Sequence, residues 1–177
     1  MKQRSGTERT ETAAAALPGG GALTLTLYWR DDRVSHLAFR LHDKALPKSE
    51  ALSPAGRAVQ EALMRLAAGE PAEFPELPLD WDSLPPFTRA VLETLANQVG
   101  HGKTITYGEL AALCGKPGAA RAVGGAMARN PWPLIVPCHR VLGCGGSLTG
   151  YTNPSGLDLK ALVLRLEGAG QPAPGKG

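Results

Sequence analysis

From Ala22 to Arg30 the chain alternates, with Leu23, Leu25 and Leu27 on one face and Thr24, Thr26 and Tyr28 on the other, the two-residue period of a strand. Asp31-Asp32-Arg33 supplies a turn, and Val34 to Leu41 predicts a second strand that completes a hairpin. The period lengthens at Ser53-Pro54, where an N-cap precedes proline at a first helical position. Val59, Leu63 and Leu66 follow at helical spacing until Gly69. Pro71, Pro75 and Pro78 exclude regular structure from the next stretch, which reads as a connection between two units.

Pro85-Pro86 opens another helix, with Phe87, Val91, Leu92, Leu95 and Val99 along one stripe, broken by Gly100 and Gly102. Thr106-Tyr107-Gly108-Glu109 has the form of a capping box starting a short helix that ends near Cys114-Gly115. Pro117-Gly118 makes a turn, and a further helix runs from about Ala119 to Arg129 before Asn130-Pro131 stops it. Two short helices across a tight Gly/Pro turn form a helix-turn-helix candidate, although many helical hairpins bind no DNA. Leu134-Ile135-Val136 predicts a buried strand. A last helix from about Ser155 to Glu167 turns Leu157, Ala161, Leu162, Leu164 and Leu166 inward and stops at Gly168.

Met1 to Gly21 carries Thr, Ala and Gly without a sustained period and is expected to be a flexible tail. The resulting picture is an α+β chain of two small domains. An α+β unit with its connection occupies 22–82, a mostly helical domain 83–168, and a second flexible tail 169–177. No apolar run approaches the roughly 18 residues of a membrane span, and the polar Met1 to Arg9 gives no sign of a secretory signal. The net charge of +3 says little, but from Ser83 onward nine Lys/Arg stand against four Asp/Glu, whereas residues 1–82 carry ten against twelve. An anionic partner is expected at the second half, though a randomly solvated basic surface also fits the charge. Cys114, Cys138 and Cys144 give an odd count with no C-x-x-C pair, and the four histidines form no metal motif. No disulfide framework, catalytic metal or cofactor is expected, and a reducing, cytoplasmic compartment fits best.

Three features carry candidate chemistry. The helix from Ala119 to Arg129 is nearly all Ala and Gly, and each interior Gly costs about 1 kcal/mol of helix stability relative to Ala. Such a helix is expected to lie close against a backbone or a nucleic-acid groove. Arg121 sits in its first turn, where the helix dipole disfavours a cation; a side chain aimed at nucleic acid explains that position better than packing does. Cys138 follows rigid Pro137 and precedes His139. A thiol beside an imidazole is a candidate nucleophile, and the same pattern suits a buried structural cysteine. Glu167 ends the last helix, where the dipole disfavours a carboxylate. Pairing with His139 would justify it and complete a thiol–imidazole–carboxylate relay; solvent exposure at a frayed end is the alternative.

Several of these segments fit one pattern: Thr106-Tyr107-Gly108, the run from Ala119 to Met127, Asn130-Pro131, and Ile135-Val136-Pro137-Cys138-His139-Arg140-Val141. With Gly150-Tyr151, Lys160 and Leu166-Glu167-Gly168, they resemble the C-terminal domain of the methylated-DNA–protein-cysteine methyltransferases, or O6-alkylguanine-DNA alkyltransferases. The resemblance covers 83–168 and is looser upstream, where the hairpin and helix are compatible with that family's RNase H-like first domain. For the second domain it implies a winged-helix-like fold with a helix-turn-helix. It further implies a monomeric DNA-repair protein that binds double-stranded DNA through the minor groove and rotates an O6-alkylguanine out of the duplex. Cys138 would accept the alkyl group irreversibly, in one turnover and without a cofactor, with O4-alkylthymine an open second substrate.

The same resemblance assigns roles. His139 would take the thiol proton through a water, with Glu167 behind it and Asn130 buttressing the site. Arg121 would fill the gap left by the flipped nucleotide, and Tyr107 would press on the target phosphate and donate to the guanine ring. Met127 would form an apolar wall, while Tyr151, Thr152 and the backbone around Val141 would line the pocket, with Arg140 among the substrate-binding residues. Val99-Gly100-His101-Gly102 stands where the family usually has Ile-Pro-x-Gly, which would loosen a linker without touching the chemistry. The zinc-binding cysteines of some relatives, and a further phosphotriester-repair domain, are expected to be absent. Two rivals remain. A cysteine hydrolase predicts turnover, and a binding-only damage sensor is disfavoured by Cys138.

Overall fold

The computed structural model describes residues 7–44, 51–150 and 153–169. Strands β1 (Glu8–Ala16), β2 (Ala22–Arg30) and β3 (Arg33–His42) form an antiparallel sheet in that order. Leu23, Leu25 and Leu27 of β2 are fully buried, as the alternation requires. Helix α1 (Pro54–Ala67) packs on β1 and β2 through Val59, Leu63 and Leu66. Its N-cap Ser53 accepts from the Gly56 N–H at 3.1 Å.

The flexible tail expected over 1–21 is corrected by β1, whereas residues 1–6 lie outside the described residues. Ala13 and Ala15 are too small to give a hydrophobic period, yet both are buried, and their size lets α1 approach the sheet. Gln60 of α1 brackets Ala14, accepting from its N–H at 2.8 Å and donating to its carbonyl. Glu11 accepts from the Ser53 N–H at 2.8 Å, so a polar residue of β1 helps start the helix.

The second half holds α2 (Pro86–Gln98), β4 (Ile105–Thr106), α3 (Tyr107–Leu113), α4 (Ala120–Ala128), β5 (Val141–Leu142) and α5 (Gly156–Leu166). The capping box forms in both directions: Thr106 N–H donates to Glu109 at 2.7 Å, and Glu109 N–H to the Thr106 hydroxyl at 3.2 Å. Helices α3 and α4 pack together against α2, with Val123 and Ala126 buried at the contact. Short parallel strands β4 and β5 tie the start of α3 to the segment after Cys138.

Two expectations fail locally. Leu134-Ile135-Val136 is a turn, not a strand: Leu134 takes φ 76° and Val136 N–H returns to the Trp132 carbonyl at 2.9 Å. Pro131 and Pro133 remove backbone donors on either side of Trp132, so no ladder can form there. Leu157 is 43% exposed; Leu164 is buried as expected, and α5 buries Leu159, Lys160 and Val163 beside it. Ala169, expected in the C-terminal tail, is buried with Leu142 and Leu164, while 170–177 lie outside the described residues.

A single apolar cluster runs through both halves. Trp132 is its joint, fully buried, edge-on to Trp81 at 4.8 Å and donating its indole N–H to the Val34 carbonyl at 3.0 Å. Among the described residues no helix is long and apolar enough to cross a membrane. Trp132→Ala should lower stability by about 3–5 kcal/mol, read as a drop in urea midpoint at unchanged slope.

Candidate active site and adjoining groove

Cys138 sits where the turn after α4 is stitched down by Asn130. The Asn130 amide nitrogen donates to the Val136 carbonyl at 2.9 Å, and its oxygen accepts from Trp132 N–H at 3.0 Å. Cys138 N–H donates to the Val136 carbonyl at 2.8 Å, which fixes the backbone at the edge of the core. The residue keeps 8% of its surface exposed and lines a cleft of about 320 Å³ with Met127, Asn130, Pro133 and Asn153. Cys138 is thus buried but borders the cleft.

Burial raises the Cys138 pKa above the ordinary thiol value, so the resting group is protonated. Opposing that are a hydrogen bond from Asn130, the charge of Lys160, and the backbone N–H groups of Cys138 and His139. These groups are arranged to hold a thiolate once one forms.

Behind Cys138, His139 is 1% exposed and its Nε2 lies 3.0 Å from Glu167 Oε1. Burial lowers the His139 pKa, and Glu167 opposes the shift without cancelling it, so the imidazole is neutral near pH 7. Burial pushes the Glu167 carboxyl up, but hydrogen bonds and charge from His139 and Arg140 outweigh it and bring the pKa down to about 2. An ionised carboxylate only accepts, so Nε2 carries the proton and Nδ1 the lone pair.

Arg140 departs from its expected place among the substrate-binding residues. Its guanidinium faces inward, donating to Glu167 through Nε at 3.0 Å and Nη2 at 2.7 Å, and to the Val99 carbonyl through Nη1 at 2.7 Å. A buried carboxylate needs this fork more than the surface needs the charge. Val141 also lies behind the cleft: its carbonyl accepts from Lys160 Nζ at 2.7 Å and its N–H bonds the Cys138 carbonyl. Tyr151 and Thr152 lie outside the described residues.

Lys160, which the hydrophobic pattern does not single out, is fully buried, and its ammonium also donates to the Thr149 carbonyl at 2.9 Å. Desolvation lowers its pKa to about 8, with Cys138 pulling the other way. The available signal was a lysine between Leu159 and Val163 on the apolar face of α5.

A second groove of about 630 Å³ adjoins the first and is lined by Tyr107, Gly108, Ala120, Arg121, Gly124 and Cys144 among others. Arg121 is exposed at the start of α4, and the Ala/Gly face of that helix forms the floor. Tyr107 lines this second groove, its hydroxyl 3.3 Å from the Thr149 and Gly150 carbonyls, and Gly150 borders both hollows. Burial and the nearby Cys138 raise the Tyr107 pKa, so it remains a donor. All three cysteines are free.

The cleft thus has the Cys138 thiol at its wall and the end of α4, from the α3–α4 helical pair, at its rim. Residues 86–169 match the family model described as the DNA-binding domain of 6-O-methylguanine DNA methyltransferase. A methylated-DNA–protein-cysteine methyltransferase of Mycolicibacterium paratuberculosis is 40% identical over 84% of this chain and 88% of its own length. The chain belongs to that family. A namesake from Methanosarcina acetivorans is 52% identical over 47% of this chain, a match spanning about half (51%) of that relative. The crystal structure of Mycobacterium tuberculosis OGT in complex with DNA superposes with TM-score 0.66 at 35% identity, covering 92% of this chain and 95% of that one.

The depressed Glu167 pKa has a direct consequence for stability. A carboxyl whose folded pKa lies below its ordinary 4.5 stabilises the fold above that pH, and the contribution disappears as pH falls towards about 2. Glu167→Gln should therefore be less stable than the parent by roughly 3 kcal/mol at pH 7, a gap that closes between about pH 4.5 and 2 in denaturant titrations. A gap independent of pH would contradict the pairing.

Proposed function

We propose that this protein repairs DNA by taking the alkyl group from O6 of a guanine onto the Cys138 sulfur, once and irreversibly. The observation that carries the reading is the Cys138 sulfur at the wall of a cleft, with the His139–Glu167 pair behind it and the Arg121 groove beside it.

The chemistry follows from the protonation states. The Cys138 proton leaves through a water to Nδ1 of neutral His139, and the imidazolium formed is stabilised by Glu167. Arg140 holds Glu167 ionised, so the carboxylate orients and stabilises without taking the proton itself. Sulfur then attacks the alkyl carbon; the S–C bond forms as the C–O6 bond breaks, and the electron pair leaves on guanine. Tyr107, kept protonated, donates to that leaving base. Among the described residues of the cleft none offers a route to cleave a thioether, so one protein molecule serves one lesion.

An alkyl group inside a stacked duplex cannot reach this sulfur, so the nucleotide rotates out at a cost of a few kcal/mol. Arg121 enters the vacated space, and Met127 forms an apolar wall. The small-residue face of α4 suits a minor groove. We read the unit before α2 as RNase H-like, the domain from residue 83 to 168 as winged-helix-like, and the protein as a monomer. Three free thiols fit the cytoplasm.

Incubation with duplex DNA bearing labelled O6-methylguanine should place one label per protein on Cys138, located by peptide mass, and Cys138→Ser should take none. Continued turnover, or label on another residue, would overturn the reading. Arg121→Ala should slow repair of duplex DNA on the order of tenfold while leaving reaction with free O6-benzylguanine nearly unchanged. Equal losses on both substrates would remove the finger role.

A further inference from the structure

The family match begins at residue 86, yet one wall of the Cys138 cleft comes from β3, where residues 36–40 line it opposite Met127. β3 is an edge of the sheet, and an edge strand presents N–H and C=O groups that need partners. Here two loops that frame the cleft take them. Leu37 N–H donates to the Pro131 carbonyl at 2.8 Å, next to Asn130. The Phe39 carbonyl accepts from the Asn153 side-chain amide at 2.7 Å, and Leu41 N–H donates to the Ser155 hydroxyl at 3.2 Å. Asn153 also folds its own segment. Its side-chain oxygen accepts from Ser155 N–H at 2.9 Å, and its backbone carbonyl accepts from Gly156 N–H at 2.8 Å.

We propose that Asn153 and Ser155 are positioning residues that set the width of the alkyl pocket by fastening its second wall to the β3 edge. The inference rests on the alkyl-transfer reading above. Two attachment points two residues apart on β3, about 7 Å, stop the segment pivoting; a single one would act as a hinge. The sequence supplies rigidity between them with Pro154, itself part of the lining. The N-terminal sheet thereby becomes part of the specificity machinery, not only a support. A methyl group has little surface with which to seat itself and depends on the wall to align its carbon with the sulfur. A benzyl group makes its own contacts with Met127 and Pro133. Misplacing reacting atoms by about 1 Å costs on the order of 100-fold in rate, so modest loosening is measurable.

The test compares single-turnover transfer from O6-methylguanine and O6-benzylguanine placed in the same duplex, so that DNA binding and nucleotide rotation cancel. With Asn153 and Ser155 both changed to alanine, the saturating rate on the methyl lesion should fall about tenfold relative to the benzyl lesion, with half-saturating DNA little changed. Ser155→Thr, which keeps the hydroxyl, should retain the parental ratio. An unchanged ratio in the double variant, or a Ser155→Thr ratio matching it, overturns the proposal. If the double variant does not fold, Ser155→Ala alone is read by the same ratio. A parent protein that labels no Cys138 with either lesion instead defeats the functional reading.

Discussion

The Glu167 carboxylate is the group around which the second half of the molecule is arranged. It closes α5, accepts from His139, and is gripped by both arms of the Arg140 fork. The third arm of Arg140 reaches Val99 at the end of α2, so three separated pieces of chain meet at one buried charge. Removing either partner would leave a charge in a low-dielectric interior, and that cost makes the geometry unique. The same arrangement decides the chemistry, since an acid held near a pKa of 2 cannot compete with imidazole for the thiol proton. Fold and reactivity therefore depend on the same few contacts.

Much of this was legible in residue order. Alternation in β2, the Ser53-Pro54 start of α1, and the Thr106–Glu109 box are local signals, and local signals survive folding. The pairing of His139 with Glu167 was readable because a carboxylate at a helix C-terminus is out of place electrostatically. What escaped notice depends on partners distant in sequence. β1 is built from alanines whose burial is decided by α1, some forty residues away. Arg140 reads as a surface cation until Glu167 and Val99 are placed around it. The Leu134–Val136 run has the composition of a strand, but its flanking prolines leave nothing for a strand to pair with.

The two halves are joined by polar contacts as well as by the shared core. Val34 takes part in three hydrogen bonds at the joint, two with the connection at Pro78 and Asp80 and one with the Trp132 indole of the second half. The cleft therefore opens between elements that cannot shift independently. This suits the proposed reaction, which needs a nucleophile, a base and an apolar wall in fixed relation before the substrate arrives. On the proposed alkyl-transfer function, preorganisation of that kind leaves the movement to the DNA.

Leu134 holds a left-handed backbone angle three residues before Pro137, and its side chain is buried. For a residue with a Cβ that conformation costs about 1–2 kcal/mol, and seating a leucine in the core returns about the same amount. Glycine would relax the chain but empty the core; valine or isoleucine would fill the core but worsen the torsion. The position is thus a stalemate between two requirements, open to few amino acids, and heat-tolerant versions of this scaffold would have to find their improvement elsewhere.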